Sequence, residues 1–153
     1  MDDQVKAIKN LLLEHEAYQF NIKTLVSSID KIASLFEKLP TPEDIESAHD
    51  GLQNLCSAFE HTRDILISHE SRDLLILKDL VEKHEMDEMN ADHDIINKAI
   101  DRMQNELYDL DHWNIDQIKE HTINLQKGIL EHQAFVTNHI IRENKLLKRN
   151  FTD

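Results

Sequence analysis

The chain of 153 residues is long enough for one domain with a proper core, and its two glycines, two prolines and abundance of Leu, Ile, Glu, Asp and Lys make an all-α fold over residues 1–153 the economical reading. A net charge of −13 with histidine neutral excludes nucleic acid and anionic membrane surfaces as partners, because the protein's field would repel both, and no run approaches the ~18 apolar residues of a membrane span. Cys56 has no second cysteine to pair with, and Met1-Asp2-Asp3-Gln4 carries neither the basic nor the apolar segment of a secretion signal, so a reducing cytoplasm is the expected compartment.

The first helix is predicted from about Asp3 to Lys38. Ile8, Leu11, His15, Tyr18, Ile22, Leu25, Ile29, Ile32 and Phe36 recur on one stripe in three-four alternation. Pro40-Thr41-Pro42 ends it. Thr41 suits an N-cap, Pro42 the first helical position and Asp44 the capping-box carboxylate, so a second helix starts there. Its seam is Ile45, Ala48, Leu52, Leu55, Phe59, Thr62, Leu66, His69, Asp73, Ile76 and Leu80. The polar run His84 to Asn90 offers Asp87 or Asn90 as the cap of a shorter third helix. Met89, His93, Ile96, Ile100, Met103, Leu107 and Leu110 form its stripe. After a turn at Asp111-His112-Trp113-Asn114, the Asn114 and Gln117 pair resembles a capping box. The fourth helix then carries Ile118, Thr122, Leu125, Ile129, His132, Val136, His139, Glu143 and Leu146, and fraying is expected from Asn150. Short connections between long helices place neighbours antiparallel, which gives an up-down-up-down four-helix bundle.

Ten histidines are far more than a chain of this size normally holds. Each apolar seam is interrupted by one: His15, His69 with Asp73 four residues on, His93, and His139 with Glu143 four residues on. A polar group buried without a partner costs roughly 2–7 kcal/mol by transfer estimates. One cause, a bound metal, would satisfy all six. Counted from the joining turns at about 1.5 Å per residue, His15 and His69 fall within one or two helical turns of level. His93 and His139 are less evenly spaced, a mismatch that a tilt or a longer ordered loop would absorb. Residues at i and i+4 project from one face, so each pair can offer a nitrogen and a carboxylate oxygen to the same region. Four nitrogens and two bridging carboxylates leave places open on a pair of first-row ions, the condition for binding dioxygen, nitric oxide, peroxide or water. Iron suits this donor set best and manganese next.

The segments Leu13-Glu14-His15-Glu16, His69-Glu70-Ser71-Arg72-Asp73-Leu74-Leu75, Ala91-Asp92-His93-Asp94 and His139-Ile140-Ile141-Arg142-Glu143-Asn144-Lys145-Leu146-Leu147 resemble, in order and spacing, the hemerythrin-like (HHE cation-binding) domain family over nearly the whole chain. The resemblance implies a non-haem di-iron centre that binds dioxygen or senses oxygen, nitric oxide or iron. It implies His15, His69, His93 and His139 as terminal ligands and Asp73 and Glu143 as bridges. The chain departs from the family where Asp73 replaces the usual Glu, an arm shorter by one methylene, which would make Asp73 a terminal ligand or bring in Glu70. It departs again where Leu75-Ile76-Leu77 and Leu146-Leu147-Lys148 replace an aromatic and a proline.

A lone seam histidine is more often a hydrogen-bonded core residue than a ligand; six coordinated interruptions reverse that preference. His132 also lies on the seam but about 10.5 Å before His139, too far to share its ligand sphere, and is read as a pocket residue or a support to the ligands. Tyr18, three residues after His15, is read as core that can face a bound ligand. Glu70, with Glu14, Glu16, Asp92 and Asp94, lies off the seam, where charged residues usually face solvent; one or two can orient ligating imidazoles. His49, His61, His84, His112 and His121 are read as surface, Met86, Met89 and Met103 as packing, and Cys56 as inert.

A ferritin-like site would need two Glu-x-x-His pairs, of which only Glu46-Ser47-Ala48-His49 has that order, and no His-Glu-x-x-His marks a zinc hydrolase. The function expected is therefore a di-iron protein that binds or senses dioxygen or nitric oxide. Two alternatives stand beside it: a di-iron enzyme acting on peroxide or nitric oxide, or donating iron for cluster repair, and a metal-free helical interaction module whose histidines are incidental or respond to pH. Protein partners and oligomeric state are not legible, since the outer faces are charged and carry no second long apolar stripe.

Overall fold

The computed structural model describes residues 2–149. Four helices run α1 (Asp2–Ser34), α2 (Pro42–Leu77), α3 (Lys83–Glu106) and α4 (Ile115–Lys148), with a single 3-10 turn at Leu110–His112 between the last two. Each helix packs on the next in chain order and α4 closes back onto α1, an all-α up-down four-helix bundle. No described helix is long and apolar enough to cross a membrane.

The start of α2 follows the local chemistry of its sequence. Thr41 Oγ1 accepts from Asp44 N–H at 3.1 Å, and Asp44 Oδ2 accepts from Thr41 N–H at 3.0 Å. Asn114 and Gln117 make the same reciprocal pair at the start of α4, at 2.9 and 2.8 Å. Two ends differ from expectation. Helix α1 stops at Ser34 rather than Lys38, the chain passing through a turn in which Phe36 is only half-buried. Helix α3 begins at Lys83, ahead of Asp87 and Asn90, because the Glu85 carboxylate accepts from the Glu82 N–H at 3.1 Å and so satisfies an otherwise orphaned donor one turn earlier. The expected fraying from Asn150 lies outside the described residues.

The seams bury the stripes the sequence marks, with one systematic slip. Near the C-termini of α2 and α4 the fully buried residues are Leu77 and Leu147, while Ile76 and Leu146 are half-buried. The step after each carboxylate is therefore four residues rather than three: Asp73 to Leu77, and Glu143 to Leu147. The slip builds a separate apolar plug from Ile8 and Leu11 of α1, Leu77 of α2, Met89 of α3 and Leu147 of α4. The larger core, centred on residues such as Ile29, Leu52, Phe59, Ile100, Leu125 and Ile129, fills the rest of the bundle. Between plug and core lies a layer of buried polar side chains. It sits one turn beyond the plug on every helix: His15 after Leu11, Asp73 before Leu77, His93 after Met89 and Glu143 before Leu147.

The uneven spacing of His93 and His139 is absorbed by the connection from Leu107 to Asn114. At about 1.5 Å per residue, His93 is ~20 Å from the end of α3 and His139 ~36 Å from the start of α4. The chain climbs that difference with Leu107 and Leu110 tucked into the core before α4 begins.

Candidate metal centre

All four seam histidines and both i+4 carboxylates meet in the polar layer. Glu143 is fully buried at its middle. One of its oxygens, Oε1, faces α1 and α2, 2.9 Å from His15 Nε2 and 3.8 Å from His69 Nε2. The other, Oε2, faces α3 and α4, 3.4 Å from His93 Nε2 and 2.8 Å from His139 Nε2. Asp73, also fully buried, places Oδ2 3.9 Å from His69 Nε2 and 3.5 Å from His93 Nε2. The imidazoles pair edge to face, His15 on His69 with ring centres 4.8 Å apart and His93 on His139 at 4.9 Å. The result is two donor groups sharing one carboxylate: His15, His69, Asp73 and Glu143, and His93, His139 and Glu143.

Outward-facing nitrogens are held by a further ring of residues. His15 Nδ1 lies 2.6 Å from Asn144 Oδ1, His69 Nδ1 3.3 Å from Glu14 Oε2 and His139 Nδ1 2.8 Å from Asp92 Oδ2. Arg72 pairs with Glu14 and Arg142 with Asp92, fixing these carboxylates in turn. Such outer partners set the tautomer and orientation of a ligating imidazole. Glu14 and Asp92 are thus the two flanking acids that orient imidazoles, as expected of one or two of that set, whereas Asn144 is not singled out by the sequence; it lies one residue from Glu143, and that adjacency is the available signal. Asp92 is buried rather than solvated. Glu70 is drawn aside, its Oε2 accepting from Asn97 Nδ2 at 3.0 Å. His132 stands away from the layer with its Nε2 3.2 Å from the Tyr18 hydroxyl. His49 and His121, read as surface, are half-buried: His49 Nε2 is 3.2 Å from Asp111, and His121 stacks on Trp113 at 3.9 Å.

The donor geometry asks for a cation. His15, His69 and His139 each present both ring nitrogens to oxygen atoms. A neutral imidazole has one N–H and one lone pair, so with Nδ1–H donating outward its Nε2 lone pair would confront a carboxylate oxygen. An imidazolium ion, a carboxyl proton or a positive ion between nitrogen and oxygen removes that conflict. Among the described residues, Asp73 Oδ1 and Oδ2, His93 Nε2 and Glu143 Oε2 are buried with no hydrogen-bond partner of good geometry. Two donors each ~2.1 Å from one first-row ion lie no more than ~4.2 Å apart, and every inward nitrogen-oxygen distance above falls inside that limit.

The electrostatics carry the same signature. Burial opposes charge on His93, yet the Asp73 and Glu143 carboxylates outweigh it and raise its pKa to about 10. Burial, reinforced by the neighbouring Glu143, pushes Asp73 up to about 7. Glu143 is held well below the usual carboxylate range: burial acts to raise it, but hydrogen bonds from Asp73 and the imidazoles prevail.

Beside the layer lies a small cavity, with about 20 Å³ open to the centre of a water-sized sphere. Its walls are the four imidazoles, Tyr18, and the apolar side chains of Leu66, Ile96, Val136 and Ile140.

Fold and site together define a four-helix bundle with two buried His/Asp/Glu clusters consistent with a hemerythrin-like di-metal site. No protein-family model, curated protein or solved structure matches the chain.

Proposed function

We propose that this protein holds two iron ions in the buried layer, one in the His15, His69, Asp73 and Glu143 group and one in the His93, His139 and Glu143 group, and that it binds or senses dioxygen or nitric oxide in the cytoplasm. Manganese is the substitute the same donors would accept next. Iron bound here would supply a redox-active centre able to take a diatomic molecule as a further donor.

The observation that carries the choice of ligand is the cavity. A volume of about 20 Å³ exceeds the ~10–15 Å³ that a single water needs on this measure and is far below that of an organic substrate. Its walls, other than the imidazoles and Tyr18, are aliphatic, which suits a small, weakly polar molecule. Each metal group contains two imidazoles, and the two groups hold only two carboxylates between them, Asp73 and the shared Glu143. Such a histidine-rich donor set is less electron-donating than a four-carboxylate site, which favours holding oxygen over cleaving it.

Anaerobic loading with ferrous iron followed by exposure to oxygen, recorded optically, tests the proposal. The expected result is about two irons per chain and a charge-transfer spectrum that appears with oxygen and reverses on its removal. Failure to take up iron, or rapid turnover of peroxide by the reduced protein, would contradict it.

A further inference from the structure

We propose that Tyr18 donates a hydrogen bond to the small molecule held in the cavity, its hydroxyl proton freed for that purpose by His132. The inference rests on the reading of the layer as a metal centre with a small-molecule pocket.

Tyr18 is buried and lines the cavity together with the four seam histidines. Its hydroxyl lies 3.2 Å from His132 Nε2, the two rings edge to face with centres 6.5 Å apart. His132 is only 4% exposed, and its Nδ1 is buried with no hydrogen-bond partner among the described residues. Burial pushes the basicity of His132 down to about 4, so at neutral pH the ring carries one N–H. Burial, and then the negative charge of Glu70, pushes the Tyr18 phenol up, so it keeps its proton.

Two protons are therefore distributed over three positions. If the Tyr18 hydroxyl donates to Nε2, the imidazole proton sits on Nδ1, a buried N–H with nothing to receive it. Orphaned buried N–H groups are rare in folded proteins, and unsatisfied acceptors are better tolerated. The alternative puts the proton on Nε2, which donates to the Tyr18 oxygen and leaves only a lone pair unpaired at Nδ1. The phenol proton is then uncommitted. The other cavity walls are aliphatic or are imidazoles whose Nε2 atoms face Asp73 and Glu143, so Tyr18 is the lining residue with a free donor. A ligand with an acceptor atom, such as oxygen after electron transfer or an azide anion, gains that hydrogen bond; one without it does not. Tyr18 would thus set ligand preference without ligating metal, since a protonated phenol is a poor ligand.

Two measurements test this. In the metal-free protein, nitrogen-15 NMR of the imidazole should find His132 protonated at Nε2; protonation at Nδ1 commits the tyrosine proton to His132 and overturns the proposal. In the iron-loaded protein, azide titration should give a dissociation constant ~10-fold or more higher for Tyr18→Phe than for the parent, because a hydrogen bond to a charged acceptor is lost. Iron content should be the same in both, while Tyr18→Phe should unfold at a somewhat lower temperature because it leaves the buried His132 N–H without an acceptor. Equal azide affinity in two equally iron-loaded proteins overturns this inference alone, whereas absence of iron uptake by the parent overturns the metal-centre reading and this inference with it.

Discussion

His93 and His132 are both buried histidines on the seam of the same bundle, and their surroundings drive them in opposite directions. Around His93, Asp73 and Glu143 approach to 3.5 and 3.4 Å and raise its pKa to about 10 against the cost of burial. Around His132 no carboxylate intervenes, and burial alone lowers it to about 4. Position on an apolar seam therefore does not make a histidine a ligand candidate. What distinguishes the polar layer around His93 is the carboxylate placed one helical turn beyond a histidine on α2 and again on α4, which gathers four imidazoles around two acids. His132 has the Tyr18 hydroxyl as its neighbour instead and stays neutral.

The sharpest way to break this contrast is to remove the acid at the centre. Glu143→Ala deletes the donor common to both groups, and iron content measured by elemental analysis is expected to fall from about two per chain to none. Asp73→Ala is expected to cost one iron rather than two, because the His93, His139 and Glu143 group keeps all its donors. Retention of two irons by either variant would contradict the donor assignment.

The neutral His132 makes a prediction in pH. His132 is neutral when folded, with a pKa of about 4, whereas in the unfolded chain it titrates near 6.5. Between those values the unfolded state binds the extra proton, so stability is fully present above pH ~6.5 and is lost as pH falls toward ~4, by roughly 3 kcal/mol in total. Urea unfolding of the metal-free protein and of His132→Gln across this range should show that increment of acid sensitivity in the parent and its absence in the variant. A smaller effect tests the outer ring. Asp92→Asn leaves His139 Nδ1 an acceptor but removes the charge, and metal affinity of its group is expected to weaken by ~10–100-fold in a competition titration with a chelator.

Much of this arrangement is legible in the sequence because helical periodicity and the i+4 rule act locally. The stripes on α1 and α4, the Thr41 and Asn114 caps, and the presence of a histidine on every seam follow from spacing alone. The slip from Ile76 to Leu77 and from Leu146 to Leu147 does not. Both residues of each pair are apolar, and only packing against Leu11, Met89 and each other selects which one is buried. Glu82 and Glu85 are not legible as the start of α3 because glutamate is an unusual residue before a helix, while Asp and Asn are favoured there. Asn144 and Asp92 act on imidazoles 129 and 47 positions away along the chain, and such long-range partners leave no periodic trace in one sequence.

Crystals loaded with ferrous iron and recorded on either side of the iron absorption edge give the most direct test. The account predicts two anomalous peaks flanking the Glu143 carboxylate, one beside His15 and His69 and the other beside His93 and His139. A protein whose buried layer shows no iron peak after loading, or whose iron lies only among exposed carboxylates, would contradict it.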